Sequence, residues 1–230
     1  MSLLFNELVE LQSKEVISLD SLFFPVENHK YNGSVLHRIQ NSDDDAVNTF
    51  SIDMLETNKI FTEAAIKKLA LEYRLRFLNT KLYKNEIPES AIQDIEQFEN
   101  ENNILISNFK ILAPKQNFQL HNYDDPLLFM TLGNGYYYYL SSWGNDLSKI
   151  RKIIYWPTQN LMNSCLFSVV LAALILMFCW GINTNLMELT KSIAIFLFAW
   201  KSVVAIMIYY FFLTGNFPSE YNWNSKFYNQ

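Results

Sequence analysis

Apolar residues recur along the first two-thirds of the chain at helical and strand spacings, and then become continuous. Leu4, Leu8 and Leu11 stand on one helical face and predict a short amphipathic helix. Phe61, Ala65, Leu69, Tyr73 and Phe77 recur every four residues, with Ile66 and Ala70 beside them, which predicts a helix over about 62–80. Pro88 suits a helix start, and the helix it opens is expected to reach about Asn100 with Ile92, Ile95 and Phe98 inward.

Strand patterns surround these helices. Residues 34–40 and 46–54 flank a polar loop at 41–45, and Phe50, Ile52 and Met54 alternate with polar neighbours. Residues 104–112 form another candidate, stopped by Pro114. The clearest hairpin joins 127–132 to 136–142 through Gly133-Asn134-Gly135, because Asn-Gly supplies the positive φ of a tight turn. The pattern predicts an α+β domain over 1–150, with helices on a mostly antiparallel sheet.

After a basic and aromatic connector at 151–160, the pattern changes. Residues 161–182 form an uncharged run of 22, enough at 1.5 Å per residue to cross a hydrocarbon core of about 30 Å. Residues 192–215 are as long and carry one charge, Lys201. The connection at 183–191 is short, with Asn185 and Glu188 at capping-box spacing. These features predict a two-helix transmembrane hairpin followed by an aromatic-rich tail at 216–230, with the lipid bilayer as first partner.

Charge adds an orientation. Before Pro157 there are 15 Lys and Arg against 21 Asp and Glu; beyond it there are three lysines and two glutamates. Lys149, Arg151 and Lys152 precede the first span, whereas the loop beyond it offers Lys191. The positive-inside rule therefore places the N-terminal domain and both termini in the cytoplasm. Glu7 and Glu10 in the first residues argue against a signal peptide. Tyr155 and Trp156 before the first span, and Tyr209, Tyr210, Phe217, Tyr221 and Trp223 clustered at the exit of the second, suit membrane interfaces. The abundance of Asn, Ile and Lys fits a bacterial AT-rich genome, for which this topology means the plasma (inner) membrane. Net acidity argues against nucleic acid as a partner.

Lys201 is the residue most in need of a reason. A lysine near mid-span costs about 2.5–3.5 kcal/mol on insertion scales, and neither apolar run contains an acidic residue. Ser164, Ser168 and Ala172, four apart, form a small-residue stripe that allows close helix packing, so Lys201 could turn into the seam and donate to Ser168 or to free carbonyls. Other readings have it lining a water-filled path in a homo-oligomer, pairing with a carboxylate on another membrane protein, or simply being tolerated.

The remaining candidates carry less. Cys165 and Cys179 lie fourteen residues apart within one span, about 21 Å along a helix, and cannot pair with each other. His29 and His37 with Asp43, Asp44 and Asp45, or His121 with Asp124 and Asp125, are metal-capable residue types, but read more simply as strand and turn positions. Four successive tyrosines, 136–139, place two rings on each face of a strand. Walker A, GxGxxG, GxSxG and HExxH patterns are absent, so neither a cofactor nor an enzyme is expected. The expected function is a membrane-anchored binding or regulatory module, self-associating or a subunit of a larger complex. The alternative is an oligomeric channel-type effector gated by the cytoplasmic domain, with Lys201 lining the path.

Overall fold

The computed structural model describes residues 3–14, 33–43, 48, 50, 55–114, 125–144, 149–182, 188–215 and 217–225 of the 230-residue chain. The chain divides into two compact units. Met1–Lys152 with Trp223–Lys226 forms the first, and Ile153–Asn222 with Phe227–Gln230 the second.

The first unit is built on a sheet of five strands, β1 (Ile60–Thr62), β2 (Leu75–Asn79), β3 (Phe109–Pro114), β4 (Leu127–Gly133) and β5 (Tyr136–Ser142). They lie in the order β1-β5-β4-β3-β2, and every neighbouring pair is antiparallel. Among the described residues four α-helices accompany it: α1 (Leu3–Gln12), α2 (Val35–Gln40), α3 (Glu63–Tyr73) and α4 (Glu89–Asn102).

Successive side chains of a strand point to opposite faces, and here both faces are covered. Leu127 and Phe129 of β4 join a cluster with α1 and α3, while Leu128, Met130 and Leu132 join one with α2 and α4. That explains why β4 reads as a nearly continuous apolar run, interrupted at Thr131, although its pairing is antiparallel. The four tyrosines divide in the same way. Tyr137 and Tyr139 pack on the α1–α3 side, Tyr136 and Tyr138 on the other, so neither pair forms a free surface. The β4–β5 turn takes the positive φ expected, 86°, 48° and 78° at Gly133, Asn134 and Gly135.

Three expectations need correction. The helix predicted over 62–80 ends at Tyr73; Arg74 takes the left-handed conformation as its C-cap, and 75–79 are strand β2. Tyr73, Leu75 and Phe77 also satisfy a spacing of two, so the fourfold pattern did not distinguish helix from strand there. Residues 35–40, predicted extended, form α2, capped by the Ser34 side chain accepting from His37 N. Trp223, assigned to a membrane interface, is 7% exposed and stacks on Phe77 with ring planes 9° apart and centroids at 6.1 Å. The strand predicted at 46–54 lies mostly outside the described residues.

Buried polar groups hold the second face together. Arg38 Nη1 and Nη2 donate to the two carboxylate oxygens of Glu99, and Nη1 also donates to Ile106 O. Glu99 in turn accepts from Ile106 N, joining α2, α4 and the segment before β3. Asn48 Oδ1 accepts from Ser107 N and Asn108 N, while its Nδ2 donates to the Asn108 and Thr131 carbonyls.

The second unit contains two long helices, α6 (Leu161–Ile182) and α7 (Leu189–Thr214), each long and apolar enough to cross a membrane. The short α5 (Ile150–Tyr155) runs across the boundary of the two units in sequence and is followed by a 3-10 turn at Trp156–Thr158.

Breaking the Arg38–Glu99 pair leaves one buried charge without its partner. Arg38→Met or Glu99→Gln is expected to cost the first unit about 3–5 kcal/mol in chemical denaturation. Arg38→Met combined with Glu99→Leu should recover part of that loss.

Candidate functional site

In the helix pair, the buried residues of α6 are Ser164, Ser168 and Ala172, and those of α7 are Ser192, Val203 and Phe211. Two indoles close the seam. Trp200 Nε1 donates to Ser168 Oγ at 3.0 Å, and Trp180 Nε1 donates to Ser192 Oγ at 3.1 Å. Ser168 also donates to Cys165 O, so its hydroxyl is used both ways. The pairing of 168 with 200 and of 180 with 192 fixes an antiparallel arrangement.

Lys201 is exposed and does not enter this seam. It lies two positions before buried Val203, about 200° around the helix, and Trp200 takes the hydroxyl that the lysine was expected to reach. It stands twelve residues from Leu189 and thirteen from Thr214, about 18 Å from either end. Among the described residues it has no hydrogen bond or ion pair. Phe198, Ala205 and Ile208 share its outward side.

Of the three cations assigned to topology, Lys149 is exposed and the other two bind within the first unit. Arg151 Nε donates to Tyr73 O at 2.9 Å. Lys152 Nζ lies 2.7 Å from Glu72 Oε2 and 3.5 Å from Glu7 Oε2. The hydrogen bond that Lys152 donates to Glu72 raises its pKa, against an opposing effect of burial, with the Glu72 and Glu7 charges adding to the rise. Tyr73 Oη donates to Glu7 at 2.6 Å, and burial followed by this bond pushes its phenol up.

The tail binds the same corner of the sheet. Phe77 N donates to Trp223 O at 2.7 Å and Arg76 Nη1 to Ser225 O at 2.5 Å. Sequence reasoning missed this site. Its signal would have been Trp223 standing eight residues beyond Gly215, an aromatic separated from the apolar helix by a polar stretch.

A groove of about 730 Å³ opens beside β5, lined by Glu56, Lys59, Asp94, Phe98, Glu101 and Tyr138 among others. Lys59 pairs with Glu56 at 2.7 Å, and Ser141 Oγ donates to Asp94 at 2.6 Å. Burial, then the Glu56 charge, pushes the Tyr138 phenol up to about 12, and Tyr139 is raised chiefly by burial. These phenols are neutral at physiological pH, and among the described residues no histidine or cysteine lines the groove.

Only part of each histidine set falls among the described residues. His37 is exposed on α2, and Asp43 is exposed, whereas Asp125 is fully buried. His29, His121, Asp44, Asp45 and Asp124 lie outside the described residues, among which no group of three His, Cys, Asp or Glu side chains could hold a metal. Cys165 and Cys179 are both free thiols on α6.

No protein-family model, curated protein or solved structure matches this chain. The functional reading therefore rests on the chain's own residues.

The Tyr138 shift fixes the sign of an alkaline effect. Its phenol ionises less readily folded than at the ordinary value of 10.0. The stability it contributes is complete below pH 10.0 and is lost as the pH rises through about 12. Phenolate absorbance followed together with circular dichroism should show its ionisation coinciding with loss of the first unit, and Tyr138→Phe should remove that component.

Proposed function

We propose that this chain is a membrane-anchored binding module. Its helix pair spans the bilayer as a subunit of a larger membrane complex, and the first unit works on the cytoplasmic side with both termini. The observation that carries the reading is Lys201, exposed at mid-helix on the outward side of the pair.

In hydrocarbon such a lysine is unfavourable, and the pair offers it nothing: the seam hydroxyl is held by Trp200. A second copy of this chain brings another lysine and no acidic residue within either apolar helix. A partner helix with a carboxylate at the same depth supplies both the counter-charge and the cover. The chain leaves the first unit after Lys152 and rejoins it at Trp223, which agrees with a pair whose two ends lie on one side of the membrane.

A second reading rests on the same lysine. If several copies form a ring, an outward Lys201 on each could face a shared aqueous path and favour anions. Ser202, also exposed, would add a polar neighbour.

Native mass spectrometry of the full-length protein released from native-membrane nanodiscs separates the two. The subunit reading expects one or two copies with a second polypeptide, and Lys201→Leu should reduce that association at least about tenfold, equivalent to about 1.4 kcal/mol. A homomeric ring of four or more overturns it in favour of the path, for which Lys201→Leu should abolish anion conductance.

A further inference from the structure

Helix α5 has two chemically distinct faces. At 100° per residue, Ile150, Ile153 and Ile154 fall on one arc, while Arg151, Lys152 and Tyr155 occupy the other. The polar arc is already engaged, since Arg151 binds Tyr73 O and Lys152 binds Glu72 and Glu7. The apolar arc faces outward: Ile150, Ile153 and Ile154 are 63%, 75% and 65% exposed. Three isoleucines on one face of six residues differ from the single exposed apolar side chains usual on a protein surface.

The residues immediately after α5 point to the occupant of this face. Trp156 opens the 3-10 turn after α5, and Leu161 begins α6, the first helix able to cross a membrane. A short helix leading to a span by way of Tyr155 and Trp156 lies where aromatic and apolar side chains meet the headgroup boundary.

We infer that α5 is an interfacial helix whose isoleucine face is immersed at the headgroup–acyl boundary of the bilayer. The inference rests on the two-span reading and adds a second mode of membrane contact to it. It also reassigns Arg151 and Lys152. These cations bind Tyr73, Glu72 and Glu7 within the first unit rather than lipid phosphates. Immersion is therefore driven by apolar burial, needs no anionic lipid and is insensitive to salt.

Depth-dependent fluorescence quenching of the full-length protein tests this. On a Cys165→Ala, Cys179→Ala background, Ile153→Cys, Ile154→Cys and Leu174→Cys are each labelled with an environment-sensitive fluorophore. Each is reconstituted in zwitterionic nanodiscs carrying spin-labelled lipids, with the quencher either high on the acyl chain or near its end. Leu174, exposed and central on α6, reports the span itself.

The expected result is that labels at 153 and 154 are quenched about twofold more by the shallow group, and the label at 174 by the deep one. Quenching at 174 without quenching at 153 and 154 overturns the inference and leaves the span intact. So does quenching at 153 and 154 that requires anionic lipid and disappears in high salt. Blue-shifted but unquenched labels at 153 and 154 would mean that protein covers the isoleucines, which also overturns it. Deep quenching at all three positions would make α5 part of the span and would overturn its interfacial placement. An unquenched label at 174 removes the two-span reading and the inference together. Agreement between the labels at 153 and 154 shows that neither substitution has displaced the helix.

Discussion

Between Tyr73 and Leu75 the chain turns from helix to strand through one left-handed residue, Arg74, with φ 54°. An L-residue pays roughly 1–2 kcal/mol for that conformation, which persists because both flanks are fixed. On the helical flank, Arg151 binds Tyr73 O and Lys152 binds Glu72. On the strand flank, Phe77 N and Arg76 bind the carbonyls of Trp223 and Ser225. Six consecutive residues thus hold both the segment where the chain leaves the first unit and the segment where it returns. The tail also covers part of β2, an edge strand whose backbone would otherwise be open to pairing with another chain.

The parts of this architecture legible in the sequence are those with one dominant physical cause. An uncharged run of 22 residues admits few structures other than a long apolar helix, and α6 has those bounds. Asn134-Gly135 admits few conformations other than a tight turn, and β4 and β5 meet there. Legibility fails where two causes share a pattern. Apolar residues four apart suit a helix face and every second position on one strand face alike, so β2 was hidden behind α3. At 35–40 the deciding signal was the Ser34 cap, a local hydrogen bond that outweighs the β-branched residues following it. Trp223 and the Arg38–Glu99 pair depend on contacts between residues far apart in sequence, which no local pattern contains.

The buried polar groups of the first unit are organised for holding rather than for chemistry. Arg38 and Glu99 use both ends of a bidentate contact and tie in Ile106 from both its backbone groups. Asn48 engages the backbone of Ser107, Asn108 and Thr131 with its amide oxygen and nitrogen. Groups committed in this way resist exchange with a ligand, because each new contact must replace one already made in a poorly solvated place. The carboxylates beside β5, the isoleucines of α5 and Lys201 lie instead at the surface.

For Lys201 the choice made inside the helix pair is instructive. Ser168 offers one hydroxyl to this part of the seam, Ser164 being bound to Pro157 O and Ser192 to Trp180. An indole needs one acceptor for its N–H and fills the remaining space with apolar surface, so a single hydroxyl satisfies it. An ammonium brings three donors and a full charge, and one hydroxyl would leave most of that demand unmet in a poorly solvated place. The pair therefore closes on Trp200 and turns Lys201 outward, one residue and about 100° further round. Stability of the pair by itself and burial of the lysine are thus opposed within this sequence. Where the pair spans a bilayer, as proposed, relief for the charge has to come from outside the two helices, and that requirement is what makes Lys201 informative about assembly.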